Sequence, residues 1–225
     1  MDTRNAPIGA YELVVFDWDG TILDTTAAIT RALQFACRSC GLPEPSDETA
    51  RSIIGLDWRA GLAVAAPGLV PSQHEAFLDA YVKEYRAREG EVALFPGIRL
   101  LIERLRAAGV KLAVATGKSR RGLNRILEAT GLGPFFLDTQ TADENPGKPD
   151  PGMLESIHAV LGVSPELTVM VGDTTHDLYM AKAWGCRGVG VAYGAMSAEM
   201  LERASPAAIC RDVPSLARLL GGDLD

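Results

Sequence analysis

Short apolar runs alternate with stretches of helical periodicity along most of this chain. A run of four to eight apolar residues bounded by turn residues fits a strand covered on both faces. Residues 13–16 (Leu-Val-Val-Phe) form such a run, 111–115 and 167–171 approximate it, and the shorter 135–137, 189–191 and 207–209 are further strand candidates. Between them, Ile98, Leu101, Ile102 and Leu105 recur at helical spacing, with Gly109 as the stop. Residues 122–130 read as a helix closed by Gly131. Residues 151–161 read as another, with Asp150 as N-cap and Pro151 at the first helical position. Residues 175–184 form a third, closed by Gly185, and 212–220 a last one. Strands alternating with helices predict an α/β fold: a Rossmann-like open parallel sheet flanked by helices.

Residues 25–90 break this rhythm. Four helical patterns follow one another at 26–40, 47–54, 58–65 and 72–88, with no strand pattern among them. Phe77, Tyr81 and Tyr85 give the last one an apolar stripe at i, i+4 and i+8, a core-forming pattern. The expected organisation is a core of residues 1–24 plus 91–225, interrupted by an all-helical insertion over 25–90. Hinges are expected near Asp24 and near residues 91–97.

Composition narrows the partners. The 225 residues carry 47% hydrophobic and 23% charged side chains, an ordinary globular balance. A net charge of −7 argues against a nucleic-acid backbone as partner, which needs a basic face. A small anionic substrate stays open, because local charge in a cleft outweighs the total. Cys37 and Cys40 have CxxC spacing, but no second pair or His pair accompanies them, and they sit in a helical pattern. They are expected as structural thiols. Residues 1–12 lack a basic start and an apolar leader, and no run approaches the roughly 18 apolar residues of a membrane span. A cytoplasmic protein with no membrane partner is expected.

The chemistry concentrates at strand ends. Asp17 and Asp19 follow the first strand, spaced i, i+2, with Gly20 and Thr21 after them. Residues two apart on a strand point the same way, so both carboxylates can face one centre. Two carboxylates held that close repel unless a cation or a shared proton intervenes. Thr116 and Gly117 follow the second strand, and Lys148 lies between prolines after the third. Asp173 and Asp177 follow the fourth, in Gly-Asp-Thr-Thr-His-Asp. In an open parallel sheet, ligands bind at these carboxyl ends. Each residue alone has an ordinary explanation as a helix cap or a loop lysine. The ordered set does not.

These motifs resemble those of the haloacid dehalogenase superfamily of phosphotransferases, over nearly the full length. They are Asp17-Trp18-Asp19-Gly20-Thr21, Thr116-Gly117, Lys148 in Gly-Lys-Pro-Asp-Pro, and Gly172 to Asp177. Phe95-Pro96-Gly97 at the return to the core fits too, and the insertion looks like the small helical cap of the phosphoglycolate phosphatase branch. The resemblance implies that Asp17 attacks a small phosphate monoester, giving an aspartyl-phosphate that water hydrolyses. It implies Mg²⁺ held by the Asp17 carboxylate, the Asp19 main-chain carbonyl and the Asp173 carboxylate, with Asp177 in or just outside that shell. Asp19 would be the general acid and base, Thr116 and Gly117 would hold phosphate oxygens, and Lys148 would neutralise charge. Gly55 and Arg59 of the insertion, with Arg51, are candidates for reading the substrate.

A sugar phosphomutase would share this core and differ in its cap contacts. A non-catalytic phospholigand binder would not need Asp17 or Asp19. A dehalogenase would need neither Asp19, a metal nor Asp173, and a phosphonatase-like enzyme would need a cap lysine, for which only Lys83 is present in residues 25–90. The expected partner is a small phosphorylated metabolite, and the expected state is a monomer or homodimer.

Overall fold

In the structure, a computed structural model describing residues 11–88 and 92–221, strand β1 (Leu13–Phe16) lies at the centre of a six-stranded sheet. Its partners are β2 (Lys111–Thr116), β3 (Asp138–Thr141), β4 (Thr168–Gly172), β5 (Arg187–Val191) and β6 (Ala208–Cys210). The order is β3-β2-β1-β4-β5-β6 and every pairing is parallel. The chain builds outward from β1 to β3 on one side, then crosses to β4 on the other. That reversal, at β1 and β4, is the topological switch point at which such sheets bind ligands.

Side-chain alternation builds both cores. Val14, Phe16, Leu112, Val114, Val169 and Val171 point to one face. There they meet Ile98, Leu101, Ile102 and Leu105 of α5 (Ile98–Ala107) and Val213, Leu216 and Ala217 of α10 (Val213–Leu219). Leu13, Val15, Ala113, Ala115 and Met170 point to the other. They meet Met153, Leu154 and Ile157 of α7 (Gly152–Leu161) and Met180 and Ala181 of α8 (Thr175–Trp184). Period-2 alternation covered on both faces explains why these strands read as continuous apolar runs.

Helices α1 (Thr26–Ser39), α2 (Asp47–Ser52), α3 (Trp58–Ala65) and α4 (His74–Ala87) follow β1. Leu33, Ala36, Cys37, Ala50, Leu62, Ala65 and Phe77 give them a cluster of their own. Ile54 and Tyr85 pack on Ala195 of the sheet-bearing part, and His176 Nε2 is hydrogen-bonded to the Ser52 carbonyl at 3.0 Å. Cys37 is buried in this layer, Cys40 is the C-cap of α1, and both are free thiols. No helix among the described residues is long and apolar enough to cross a membrane. Of the second expected hinge, near 91–97, residue 91 lies outside the described residues.

The strand expected at 135–137 is not there. Gly133–Phe135 is a single 3₁₀ turn, and β3 is the polar Asp-Thr-Gln-Thr that follows. An edge strand has one ladder partner and needs little apolar surface, so hydrophobicity does not mark it. Phe136 instead drops into the core beside Trp18. β6 lies one residue later than expected. Pro151 is the N-cap of α7 rather than its first residue, and Asp150 serves that helix by accepting from Gly152 N–H at 2.9 Å. α6 (Arg120–Thr130) starts two residues early because Ser119 caps it, accepting from Gly122 N–H. Asp212 is outside α10 as its N-cap, and the short α9 (Ala198–Glu202) was not foreseen.

Candidate active site

Asp17 is the first residue past β1, tied to β4 by its N–H donating to the Val171 carbonyl at 2.8 Å. Its side chain is 1% exposed. Trp18 turns the opposite way, fully buried, with its ring edge-on to Phe136 at 6.1 Å. The chain then doubles back through Gly20, whose φ of +77° favours glycine. A Cβ there would also collide with the Asp173 carboxylate. The turn can bring β1's acids beside β4's only with glycine at that position.

Asp17, Asp173 and Asp177 each present a carboxylate oxygen within 4.8 Å of the others, all buried. Asp173 accepts from Thr21 Oγ1 at 3.2 Å and from Ala195 N–H at 2.7 Å. Asp177 Oδ2 accepts from Thr174 N–H at 3.1 Å and Thr174 Oγ1 at 2.7 Å, which also caps α8. Lys148 Nζ reaches in to donate to Asp17 Oδ1 at 2.7 Å and Asp177 Oδ1 at 2.6 Å. Two of the three carboxylates thus share one buried ammonium. Burial raises the Asp17 pKa to about 7, with Lys148 opposing and the Asp177 charge adding to it. Burial, then the Asp17 and Asp177 charges, push Asp173 well up. For Lys148, burial works against the charge, but Asp17 and Asp177 outweigh it and raise its pKa.

The cluster suits a hard divalent cation. Its donors are all oxygen, its negative charge exceeds its positive charge, and Asp17 Oδ2 is a buried atom without a hydrogen-bond partner among the described residues.

Asp19 stands apart from these three. Its Oδ1 accepts from Thr25 Oγ1 at 2.8 Å, and its Oδ2 pairs with Lys118 Nζ at 2.8 Å. Neither partner was anticipated from sequence. The one sequence signal for Lys118 is its place two residues after Thr116 at a strand end, and its pairing with Asp19 depends on packing. Thr116 is 1% exposed at the end of β2, and its hydroxyl accepts from Lys118 N–H at 3.2 Å.

The helical layer comes close at Gly117. A Cβ on it would lie 2.7 Å from the Leu56 carbonyl oxygen and 2.8 Å from that of Gly55. Gly55 itself has φ +87° and faces Thr174. Gly55 therefore reaches the site through its backbone. Arg59 and Arg51 do not join the carboxylates. Arg59 is exposed on α3, and Arg51 lines a cavity of about 430 Å³ with Asp47, Glu48 and Met196.

A family model described as haloacid dehalogenase-like hydrolase matches residues 14–191. A probable phosphatase, IndB, of Dickeya dadantii is 35% identical over 206 residues, covering 88% of this chain and 88% of that protein. The tyrosine-protein kinase PtkA of Mycobacterium tuberculosis is 36% identical over 205 residues, covering 89% and 69%. A phosphoglycolate phosphatase of Caulobacter vibrioides is 33% identical over 187 residues, covering 80% and 79%. The match spans Asp17, Thr116, Lys148 and Asp173, and the chain belongs to the haloacid dehalogenase-like hydrolase family.

Proposed function

We propose that this protein is a Mg²⁺-dependent phosphatase that hydrolyses a small phosphate monoester through an aspartyl-phosphate on Asp17, in the manner of a phosphoglycolate phosphatase. The observation that carries the reading is Asp17 itself: one oxygen is held by Lys148, the other is buried without a hydrogen-bond partner among the described residues, and two further carboxylates stand beside it.

The Asp17 carboxylate, the Asp19 main-chain carbonyl and the Asp173 carboxylate would hold the ion, with Asp177 alongside. Bound Mg²⁺ supplies charge neutralisation, which lets a carboxylate approach a phosphate dianion. Asp17 attacks phosphorus with one carboxylate oxygen, and the P–O bond to the leaving group breaks. Asp19 gives its proton to the departing alkoxide. Water then attacks phosphorus, Asp19 takes the water's proton, the acyl–phosphate P–O bond breaks, and Asp17 is regenerated with release of inorganic phosphate. Acid–base help of this kind contributes about 10²–10⁴-fold. Thr116 Oγ1 and Gly117 N–H would hold non-bridging oxygens, and Lys148 would offset their charge.

Two relatives named as phosphatases support hydrolysis, and the name of one, a phosphoglycolate phosphatase, supports a small ester. The near-complete burial of Asp17 also suits a small substrate better than a protein tyrosine, the acceptor implied by the kinase's name. The test is phosphate release from p-nitrophenyl phosphate and a panel of small phosphorylated metabolites, phosphoglycolate included, with Mg²⁺ and with EDTA. The reading expects Mg²⁺-dependent release. Phosphate passed to a sugar phosphate with little reaching water, or from ATP to tyrosine, would overturn it.

A further inference from the structure

Lys118 stands between the two halves of the molecule. Its ammonium pairs with Asp19 Oδ2 at 2.8 Å and lies 5.3 Å from the centroid of the Tyr85 ring, which belongs to α4. Lys118 is largely buried, 15% exposed. Tyr85 stacks on Tyr81 at 6.2 Å with planes 12° apart, and Tyr81 meets Trp58 edge-on at 5.1 Å. Trp58 directly follows Asp57, and a Cβ on Gly147, the residue before Lys148, would lie 2.7 Å from Asp57 Cβ. One line of contacts therefore runs from the Lys148 loop, through the helical layer's aromatic side chains, to Lys118 and back to Asp19.

We propose that Lys118 is a positioning residue that couples the seating of the helical layer to the orientation of the Asp19 carboxylate. An aromatic face over a cation adds to the hold that a carboxylate gives it. Lifting α4 removes the Tyr85 ring from Lys118 and weakens its hold on Asp19 Oδ2. Thr25 still holds the other Asp19 oxygen. The Asp19 side chain is therefore held firmly on both oxygens only in the state that also shields the site from water. The proposal rests on the phosphatase reading.

The test uses two substrates. An alkyl phosphomonoester needs a proton donor for its leaving group, whereas p-nitrophenolate leaves without one. The ratio of their kcat/KM values, which reports steps up to transfer onto Asp17, therefore reads how well Asp19 is placed. Lys118→Met is expected to lower kcat/KM for the alkyl ester roughly 10–100-fold, with a much smaller loss on p-nitrophenyl phosphate. Lys118→Arg should restore most of the ratio, and Tyr85→Leu should shift it in the same direction as Lys118→Met. Adding Lys118→Met to Asp19→Asn should leave the ratio where Asp19→Asn alone puts it. Equal losses on both substrates, or an unchanged ratio in Tyr85→Leu, would overturn the coupling while leaving the phosphatase reading intact. Absence of phosphate release by the wild-type protein would overturn that reading instead. Should Lys118→Met not fold, the Tyr85→Leu and Lys118→Arg ratios decide.

Discussion

Lys148 and Asp17 are 131 residues apart in sequence, yet their side chains form a buried hydrogen-bonded ion pair of 2.7 Å. Lys148 also carries Asp177, so its removal leaves three buried carboxylates with no ammonium among them. Breaking a buried pair by removing one partner costs about 3–5 kcal/mol. Lys148→Met is therefore expected to lower the thermal midpoint measured in EDTA. Its activity with Mg²⁺ should fall at least about 10²–10³-fold. An active, equally stable Lys148→Met protein would remove Lys148 from both roles.

The pH dependence of stability follows from Asp17. Its carboxyl titrates near 3.8 in an unfolded chain and about 7 in the folded one. Between those values the native state keeps a proton that the unfolded state has released. This contribution to stability is complete below 3.8 and is lost as pH rises through about 7. Asp173, raised in the same direction, adds to the effect. The metal-free protein should therefore lose thermal stability between about pH 4 and pH 7. Because bound ions require deprotonated carboxylates, Mg²⁺ should raise the midpoint more at the upper end of that range. A flat profile in EDTA, with no Mg²⁺ response at either end, would contradict this account of the cluster.

Two glycines separate assembly of the site from its closure. Gly20→Ala places a side chain at φ +77° and against the Asp173 carboxylate. Loss of both activity and Mg²⁺-induced stabilisation is expected. Gly117→Ala instead presses first on the Gly55 and Leu56 carbonyls of the helical layer. It should leave Mg²⁺-induced stabilisation in place while raising KM, read from initial rates across substrate concentration. The same phenotype from both variants would show that the two contacts are not separable.

The strand ends that form the site were legible because parallel strands covered on both faces must be apolar, so each run stops where polar chemistry starts. Asp17, Thr116 and Asp173 all sit at such stops. β3 escaped because an edge strand needs no such run, and its neighbouring Phe136 serves the core without being in a strand. Thr25 and Lys118 escaped for another reason. Their significance lies in reaching Asp19 from a helix cap and a loop, and that convergence depends on tertiary packing. Arg51 and Arg59 differ again: charge in the inserted helices suggested a role in reading the substrate, and both side chains are exposed and apart from the carboxylates.

The central claim is that phosphate passes through a covalent bond to Asp17. The most direct measurement is mass spectrometry of the peptide containing Asp17 after acid quench during turnover with Mg²⁺ and a small phosphate ester. Borohydride treatment of a parallel sample converts an acyl-phosphate to the reduced side chain. The account predicts a phosphate adduct, and its reduced counterpart, on Asp17 alone, with both absent from Asp17→Asn. An unmodified Asp17 during steady turnover, together with full phosphate release by Asp17→Asn, would contradict it.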